Sequence, residues 1–268
     1  MPRGQLDMNR LFLDKWQMYL ALTEANLPNL NLPYTQLLQH TSPGMLDRFD
    51  AWYIKPCHTW GGNDIARLNR RKSGWALQFS SGLRITPQNA LEALEALQNR
   101  YPLNTTIVQQ EAPVAKWRGR TFDVRVLCQR DQRDQWLVAG TLVRVGGLGS
   151  IVSNIGTGHG KVLPTSAVLQ QLYQKQPTRR ALTKKLNTTS LAICHALDTY
   201  YPFEEVGIDY GLDELGGIWL FEVNTNDRLG GPSHDLFSQL PNTRVYEAIE
   251  ARSRARVLQM IADALNQS

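Results

Sequence analysis

Hydrophobic residues recur along this chain with two periods, one typical of helices and one typical of strands. Apolar residues three or four positions apart predict helices at about residues 8–22, 87–100, 179–200 and 243–266, with a short one from about residue 35 to before Pro43. Apolar runs bounded by turn residues predict strands at residues 51–54, 75–79, 83–85, 106–110, 122–130, 136–145, 205–212 and 217–223. We expect the helices to pack by apolar faces, which in the last one include Met260 and Ile261.

The order of these elements predicts the fold class. Helices and strands arrive mixed, and a polar turn at residues 131–134 joins two long strands into a hairpin. A doubly wound parallel sheet would instead alternate strands and helices regularly. We therefore expect an α+β protein of two lobes, and 268 residues are enough to bury a sizeable core.

Composition and charge argue against a membrane or nucleic-acid partner for this protein. The chain is 42% hydrophobic and 20% charged, as in ordinary globular proteins. It has no apolar run long enough to span a bilayer and no apolar signal core, so we expect a cytoplasmic protein without a membrane partner. The net charge is +5, but the basic residues form only short clusters without interleaved aromatics, so we expect no nucleic-acid partner. A modest positive field suits a small anionic ligand.

The three cysteines, Cys57, Cys128 and Cys194, are expected to be reduced, packed thiols. An odd number of cysteines in a chain of this length argues against a disulfide framework. Cys57 and Cys194 each precede a histidine, but neither pair has the spacing of a zinc-finger site. We expect no zinc.

The most informative pair of strands lies near the end of the chain, at residues 205–212 and 217–223. The stretch between them is rich in turn residues, which predicts a hairpin. In such a hairpin Asp209 and Glu222 face each other. Two carboxylates therefore come together at one end of a sheet.

Side-chain alternation along the second strand predicts a metal site. Glu222 and Asn224 point to one face, whereas Phe221 and Val223 point into the core. Together with Asp209 they offer two carboxylates and an amide oxygen, which suit magnesium and a nucleoside triphosphate. The alternative is that the acidic residues are solvated and that Asn224 begins a turn. A metal would compensate a carboxylate that lies among apolar neighbours.

These residues resemble the metal-binding end of the ATP-grasp fold. The resemblance rests on the Gly-Ile-Asp at residues 207–209 and the Glu-Val-Asn at residues 222–224. It extends over nearly the whole chain and is strongest to the YheC/YheD family of spore-coat-associated ATP-grasp proteins. Four further blocks carry it, at residues 14–16, 52–56, 122–127 and 144–154.

The resemblance implies a domain organisation. We expect residues 1–268 to form a single ATP-grasp unit in which two α+β lobes clasp a nucleotide. An N-terminal helical part at about residues 1–50 would precede a small lobe at residues 51–110 with the phosphate loop. Residues 111–268 would form the C-terminal lobe with the metal site. We expect no separate N-terminal domain, although members of the family often carry one.

A phosphate-binding loop is predicted after the strand that ends at Lys55. Residues 55–65 combine positive charge with Gly61 and Gly62, whose backbone N–H groups can approach phosphates. The loop resembles the flexible ATP-grasp phosphate loop, except that bulky Trp60 stands where small residues are usual. Lys15 and Lys55 match the two lysines that the family directs at nucleotide phosphates. The alternative is an ordinary Gly-Gly turn with solvated lysines.

The segment at residues 106–114 resembles the hinge between the two ATP-grasp lobes. The resemblance implies that backbone groups recognise adenine there and that Gln110 or Glu111 binds the purine or ribose edge. The alternative is a strand that leaves the core into a proline turn.

Asp123 and Arg125 share one face of a strand, and Arg144 comes from its hairpin partner. Arginine forks suit phosphates and carboxylates, so Arg144 and Arg125 are candidates to clamp the transferred phosphate. A structural ion pair between Asp123 and an arginine is the alternative. The glycine-rich loop at residues 150–160 resembles the ATP-grasp segment beside the transferring phosphate. In that segment Asn154 would orient the reacting end. His159 in that loop is not assigned a catalytic role.

The resemblance implies Mg-ATP-dependent ligation of a carboxylate to an amine or thiol. An acyl phosphate would form and be displaced, with release of ADP and phosphate. Mg²⁺, or Mn²⁺, would be held by Asp209, Glu222 and Asn224. Two alternatives stay open: a non-catalytic ATP-binding or spore-coat-associated structural protein, and a small-molecule kinase.

Overall fold

The structure is a computed structural model that describes residues 13–59, 61–156, 159–225 and 232–266. Its helices are α1 (Lys15–Ala25), α2 (Pro43–Leu46), α3 (Ala90–Arg100), α4 (Thr165–Leu172), α5 (Gln176–Leu197), α6 (Pro232–Ser238) and α7 (Arg244–Asn266). Its strands are β1 (Leu30–Asn31), β2 (Thr35–Leu37), β3 (Ala51–Pro56), β4 (Ala66–Arg70), β5 (Trp75–Phe79), β6 (Arg84–Ile85), β7 (Thr106–Gln110), β8 (Phe122–Arg130), β9 (Trp136–Val145), β10 (Lys161–Pro164), β11 (Glu205–Leu212) and β12 (Ile218–Asn224).

The strands form two six-stranded sheets. The large sheet has the order β1-β12-β11-β8-β9-β10, and the small sheet has the order β2-β7-β3-β4-β5-β6. Neighbours are antiparallel except β1, which runs parallel to β12. Two separate sheets with helices packed on them confirm the predicted α+β class.

The two faces of the large sheet have different roles because side chains alternate along each strand. One face packs against α1, α4 and α5 to form the main hydrophobic core, which includes Val124, Val126, Val143, Ile208 and Tyr210. The opposite face carries charged and polar side chains at the intervening positions of the same strands, namely Asp123, Arg125, Arg144 and Asp209. The alternation therefore separates a face covered by α1, α4 and α5 from one that is polar at Asp123, Arg125, Arg144 and Asp209 and packs against α6 and α7 at Leu127 and Leu142.

The small sheet has its own core beneath α3. Trp52, Leu68 and Leu77 are fully buried there and pack with Leu94 and Leu97 of the helix. Burying each such side chain contributes about 1.5–3 kcal/mol relative to exposure. Each sheet is thus stabilised largely by its own core.

Two predicted helix starts are wrong. Of the short helix predicted from about Thr35 to before Pro43, Thr35–Leu37 is strand β2, which pairs with β7, and only Leu38–His40 is helical, as a 3-10 helix. A separate helix, α2, begins at Pro43 after the Ser42 cap. Helix α3 begins at Ala90 after the Asn89 cap, so the predicted proline of its first turn lies outside the helix. A three-residue strand has too little periodicity to be recognised without its partner.

Several other elements differ from the prediction. β1, β4, β10, α4 and α6 were not predicted, and the N-terminal part of the first predicted helix lies outside the described residues. Met260 and Ile261 were expected to be buried in the last helix but are 50% and 52% exposed. Ile249, about three turns earlier on α7, is fully buried, so only the first half of this helix packs on the large sheet. All three cysteines are free and buried, as predicted.

Candidate active site

A cleft of about 500 Å³ lies between the two sheets. The small sheet and the hinge supply one wall, and the polar face of the large sheet supplies the other. Its lining includes most of the predicted site residues, namely Lys15, Lys55, Gly62, Gln110, Glu111, Arg144, Asn154, Asp209 and Glu222. Of the remaining ones, Gly61 is adjacent to this lining, Asn224 lines a smaller neighbouring pocket, and Arg125 binds Asp209.

Two lysines reach this cleft from different elements. Lys15 is placed in the first turn of α1, because the Asp14 side chain caps that helix by accepting from the Gln17 N–H at 2.8 Å. Its Nζ lies 3.2 Å from Glu222 Oε1 and donates to the Thr59 carbonyl. Burial lowers the pKa of Lys55 to about 8.

Lys55 Nζ donates to Gln109 Oε1 at 2.7 Å. Because the Lys55 ammonium is largely removed from solvent, it interacts strongly with any anion that enters the cleft, where screening is weak. Lys15 contacts the loop that follows β3 through the Thr59 carbonyl, and both lysines line the cleft. Gly61 and Gly62 of that loop have φ values of 71° and 77°, which glycine adopts without strain. Trp60 lies outside the described residues.

A β-bulge shapes the wall formed by β11 and β12. Asp209 pairs with Glu222 as predicted, but Tyr210 pairs with Leu220, so Phe221 is an extra residue on its strand. The prediction that Phe221 points into the core is therefore wrong, and its side chain lines the cleft beside Glu222. Gly211 makes this possible, because a Cβ there would overlap the Phe221 ring.

A buried network of charges forms the floor of the cleft. Arg144 donates to both oxygens of Asp123, at 2.8 and 2.9 Å, and Ser153 donates to the same carboxylate. Asp209 accepts from Arg125 through both oxygens and from Arg144 at 2.7 Å. The Asp123 ion pair, which the sequence left as an alternative, is thus present.

The two carboxylates of this network differ in acidity. Burial raises the pKa of Asp123, and its partner Arg144 does not fully offset that effect. Burial also acts on Asp209, but Arg125 and Arg144 outweigh it and hold the pKa of that carboxyl below its usual value. Gly207 leaves the space for this arrangement, because a Cβ there would lie 3.1 Å from Arg125 Nη1.

The predicted metal ligands fit a magnesium ion unequally. Glu222 is 28% exposed on its side chain, has Lys15 as its ionic partner, and keeps lone pairs for a cation. The Asn224 Nδ2 is buried without a hydrogen-bond partner, so this amide is unsatisfied. Asp209 already accepts three guanidinium hydrogen bonds, and its neighbours are positive. In the described part of the chain, no group of three His, Cys, Asp or Glu side chains could hold a metal.

The hinge side chains are also engaged. Gln110 Oε1 accepts from the Tyr34 N–H at 3.2 Å. Glu111 forms a two-pronged ion pair with Arg67, at 2.9 and 2.7 Å. The arginine partner, which comes from the unpredicted strand β4, was not found from the sequence.

The glycine-rich loop bridges the two sheets at the cleft mouth. The Tyr53 hydroxyl of the small sheet donates to the Ile151 carbonyl at 3.1 Å, and Gln78 Nε2 donates to the Gly149 carbonyl at 3.4 Å. Asn154 lies in this loop at the edge of the cleft. The two lobes are therefore in contact around the site and not only through the hinge.

Comparison with known proteins places this geometry in a family. The profile of the YheC/D-like ATP-grasp family matches residues 6–252. The chain belongs to the YheC/D-like ATP-grasp family. This confirms the resemblance that the sequence motifs indicated, and it agrees with a cleft that has cations from both of its lobes.

Two relatives of this ATP-grasp family come from Bacillus subtilis (strain 168). Endospore coat-associated protein YheD is 25% identical over 256 residues, which are 91% of this chain and 53% of YheD. Endospore coat-associated protein YheC is 21% identical over 222 residues, which are 79% of this chain and 59% of YheC. This ATP-grasp chain therefore spans somewhat more than half the length of the curated relatives it matches.

Solved structures share the ATP-grasp fold. The L-amino acid ligase from Bacillus licheniformis is similar with a TM-score of 0.50 at 14% identity, over 90% of this chain and 47% of that one. The C-terminal domain of K. lactis Pby1, an ATP-grasp enzyme interacting with the mRNA decapping enzyme Dcp2, is similar with a TM-score of 0.51 at 14% identity. The match covers 88% of this chain and 69% of that one. At this identity the likeness shows the fold alone. None of the helices in the described residues is long and apolar enough to cross a membrane.

Proposed function

We propose that this protein is a Mg-ATP-dependent ligase that joins a carboxylate to an amine or a thiol through an acyl phosphate. The observation that carries the proposal is the cleft of an ATP-grasp fold in which Lys15, Lys55 and Arg144 converge next to Glu222. Cations that share a desolvated cleft favour a highly charged anion such as a triphosphate.

The reaction proceeds in two displacements. An oxygen of the substrate carboxylate attacks the terminal phosphorus of ATP, and the bond from that phosphorus to the bridging oxygen of ADP breaks. The nucleophile then attacks the acyl carbon and loses a proton to solvent, and inorganic phosphate leaves. Such chemistry depends mainly on positioning and on neutralisation of charge.

The residues of the chain have distinct tasks in this scheme. Lys15 and Lys55 neutralise the nucleotide phosphates, and the phosphate loop with Gly61 and Gly62 encloses them. Arg144 orients the transferred phosphate from the cleft lining, and Arg125 acts through Asp209, because both guanidinium groups are held rigidly by carboxylates. Asn154 contacts the reacting end from the glycine-rich loop.

The purine and the metal are held by neighbouring parts of the cleft, because Phe221 and Glu222 are adjacent in β12. Phe221 supplies an apolar wall for the purine, and the hinge residues Gln110 and Glu111 lie at its edge. Glu222 and Asn224 would hold Mg²⁺, together with Asp209 if a guanidinium released one of its oxygens. The metal would supply neutralisation of the phosphate charge.

A second candidate function is that of an ATP-binding, spore-coat-associated protein without turnover. The names of both Bacillus relatives, endospore coat-associated proteins, favour it, as does the engagement of Asp209 by two arginines. A nucleotide would then stabilise the fold and no phosphate would be released. Transfer of phosphate to a small molecule, as in a kinase, would consume ATP without free phosphate.

The test is calorimetric titration of ATP with and without Mg²⁺ into the wild-type protein, Glu222→Gln and Glu214→Gln. Glu214 is an exposed carboxylate on the turn of the same hairpin, so it is a matched control for loss of one charge. We expect Mg²⁺-dependent binding that Glu222→Gln weakens by about tenfold or more, which corresponds to about 1.4 kcal/mol. Glu214→Gln should bind like the wild type.

Turnover is then tested with a panel of carboxylates and amines by assaying free phosphate. Phosphate release that requires both substrates supports ligation. ATP binding without phosphate release across the panel supports the structural alternative, and consumption of ATP without free phosphate supports a kinase. If the wild type does not bind ATP, all three nucleotide-dependent functions are wrong.

A further inference from the structure

A second groove lies on the side of the large sheet that faces away from the cleft. It has a volume of about 570 Å³ and runs between α4 and the first half of α5. These helices pack on the sheet face opposite to Asp123 and Arg144, so the groove and the cleft are separated by the sheet. We call this surface the α4–α5 groove, and its polar lining includes Ser166, Arg180, Thr183, Lys184, Asn187 and Thr188.

The charged residues in the sequence that forms this surface are all basic. Residues 135–197 contain neither aspartate nor glutamate, although the whole chain has 24 acidic residues. Basic residues recur within the same span, at Lys175, Arg179, Arg180, Lys184 and Lys185. The groove therefore has no carboxylate of its own that could neutralise its cations.

Two of these cations are available for a ligand. Arg180 and Lys184 are exposed, and the side chain of neither forms an ion pair or a hydrogen bond in the described part of the chain. Arg179, in contrast, is fixed by bonds from Nη1 to the carbonyls of Tyr173 and Gln174. Lys185 donates to the Gly216 carbonyl on the other side of the helix. The groove thus presents a pair of unneutralised charges on a rigid helix.

The groove also contains an acceptor that lacks a donor. The Oδ1 of Asn187 is buried without a hydrogen-bond partner, which is costly unless a ligand supplies an N–H group. A peptide backbone carries such donors at every residue except proline, whereas a phosphate backbone carries only acceptors. None of the described residues that line the groove is aromatic, so nucleobases would find no stacking surface.

We propose that the α4–α5 groove binds an acidic, extended peptide segment of a partner protein. Arg180 and Lys184 are one helical turn apart, which places their Cβ atoms about 5–6 Å from each other. Alternate side chains on one face of an extended peptide are about 6–7 Å apart. Two carboxylates at alternate positions of the segment therefore pair with the two cations, and a backbone N–H of the segment donates to Asn187.

The experiment measures binding of a fluorescently labelled dodecapeptide of alternating Glu and Ser to the whole protein by fluorescence anisotropy. A peptide of alternating Gln and Ser is the uncharged control. The tested variant combines Arg180→Glu with Lys184→Glu. The matched control combines Lys72→Glu with Arg84→Glu, which makes the same change of net charge at exposed positions of the small sheet.

We expect the Arg180→Glu, Lys184→Glu protein to bind the acidic peptide at least about tenfold more weakly at about 0.05 M salt. The control variant should stay within about twofold of the wild type. ATP affinity should be equal in all three proteins, because the cleft is on the other side of the sheet. If both variants lose affinity equally, the attraction is one of net charge alone and the proposal is wrong.

Asn187→Leu tests the hydrogen bond independently of charge. It removes a buried unsatisfied acceptor, so the thermal stability should not fall, yet peptide affinity should decrease by about threefold to tenfold. Unchanged peptide affinity in this variant overturns the proposal. So does tighter binding of an oligo-dT strand or of polyphosphate that is lost on reversal of Arg180 and Lys184, because the occupant would then be a phosphate polymer.

Discussion

Replacement of His234 by alanine is the sharpest test of how the large sheet is held to its C-terminal helices. His234 lies on α6 with its side chain 1% exposed. Its Nε2 contacts both oxygens of Glu205 at 2.6 Å, and its Nδ1 lies 3.0 Å from Glu250 on α7. Because a carboxylate faces each ring nitrogen, both nitrogens act as donors and the ring is an imidazolium.

The magnitude follows from what the substitution leaves behind. Glu205 is 4% exposed, and without His234 it keeps only the bond from Gln129 Nε2 at 2.8 Å among the described residues. Breaking a buried ion pair by removing one partner costs about 3–5 kcal/mol. The remaining amide bond favours the lower end, about 3 kcal/mol, which lowers Tm by roughly 6–12 °C in a chain of this size.

The assay is urea unfolding followed by tryptophan fluorescence, with His195→Ala as the control. His195 is 65% exposed and lies 3.6 Å from Asp198, so its removal should change the free energy of unfolding by less than about 0.5 kcal/mol. A loss below about 1 kcal/mol in His234→Ala would refute the reasoning, because burying a carboxylate without its cationic partner costs more free energy than that.

The same residue predicts a pH dependence of stability. Burial lowers the pKa of His234, but its hydrogen bonds to Glu205 and Glu250 outweigh that effect and raise the pKa above its ordinary value. The stabilisation is therefore complete below about pH 6.5, where the unfolded histidine is also protonated, and it is lost as the pH rises through the folded pKa. The wild type should become less stable as the pH rises above about 6.5 and through the folded pKa, and His234→Ala should lack this component.

Two further predictions concern the cleft. Gly211→Ala places a Cβ within the neighbouring aromatic ring and 2.5 Å from Val114 Cγ1, so we expect a loss of about 1–3 kcal/mol in unfolding free energy together with weaker ATP binding. Chemical denaturation and calorimetry check this, and an unchanged ATP affinity would show that the purine does not lie there. Lys55→Met keeps the length of the side chain but removes its charge, and should weaken ATP binding by at least about tenfold. The exposed Lys72→Met should leave ATP binding unchanged, and equal affinities for both variants would exclude Lys55 as a phosphate ligand.

Local patterns predicted the long elements correctly. The strands at Phe122–Arg130, Trp136–Val145 and Glu205–Leu212 are long apolar runs bounded by turn residues, and the structure has them with the predicted bounds. The predicted hairpin placed Asp209 opposite Glu222, and the structure has that pairing. Such features follow from the sequence because each depends on neighbours that are close in the chain.

Short and non-local features were not predictable in this way. Strand β2 exists because β7 supplies its hydrogen bonds, and a three-residue segment carries no period of its own. Phe221 was assigned to the core because strict alternation puts it there, but the bulge inserts an extra residue and turns its side chain to the cleft. The shift depends on Gly211 of the partner strand.

By itself, the sequence determined the α+β class, the family and the set of polar residues that converge on one cleft. Only the tertiary structure decided how those residues are paired. Asp123, Asp209 and Glu111 each bind an arginine. In two of these ion pairs, Arg125 with Asp209 and Arg67 with Glu111, no spacing rule connects the arginine to the carboxylate. Periodicity records which side chains are buried, whereas ion pairing depends on the register of strands and on which side chains share a desolvated space.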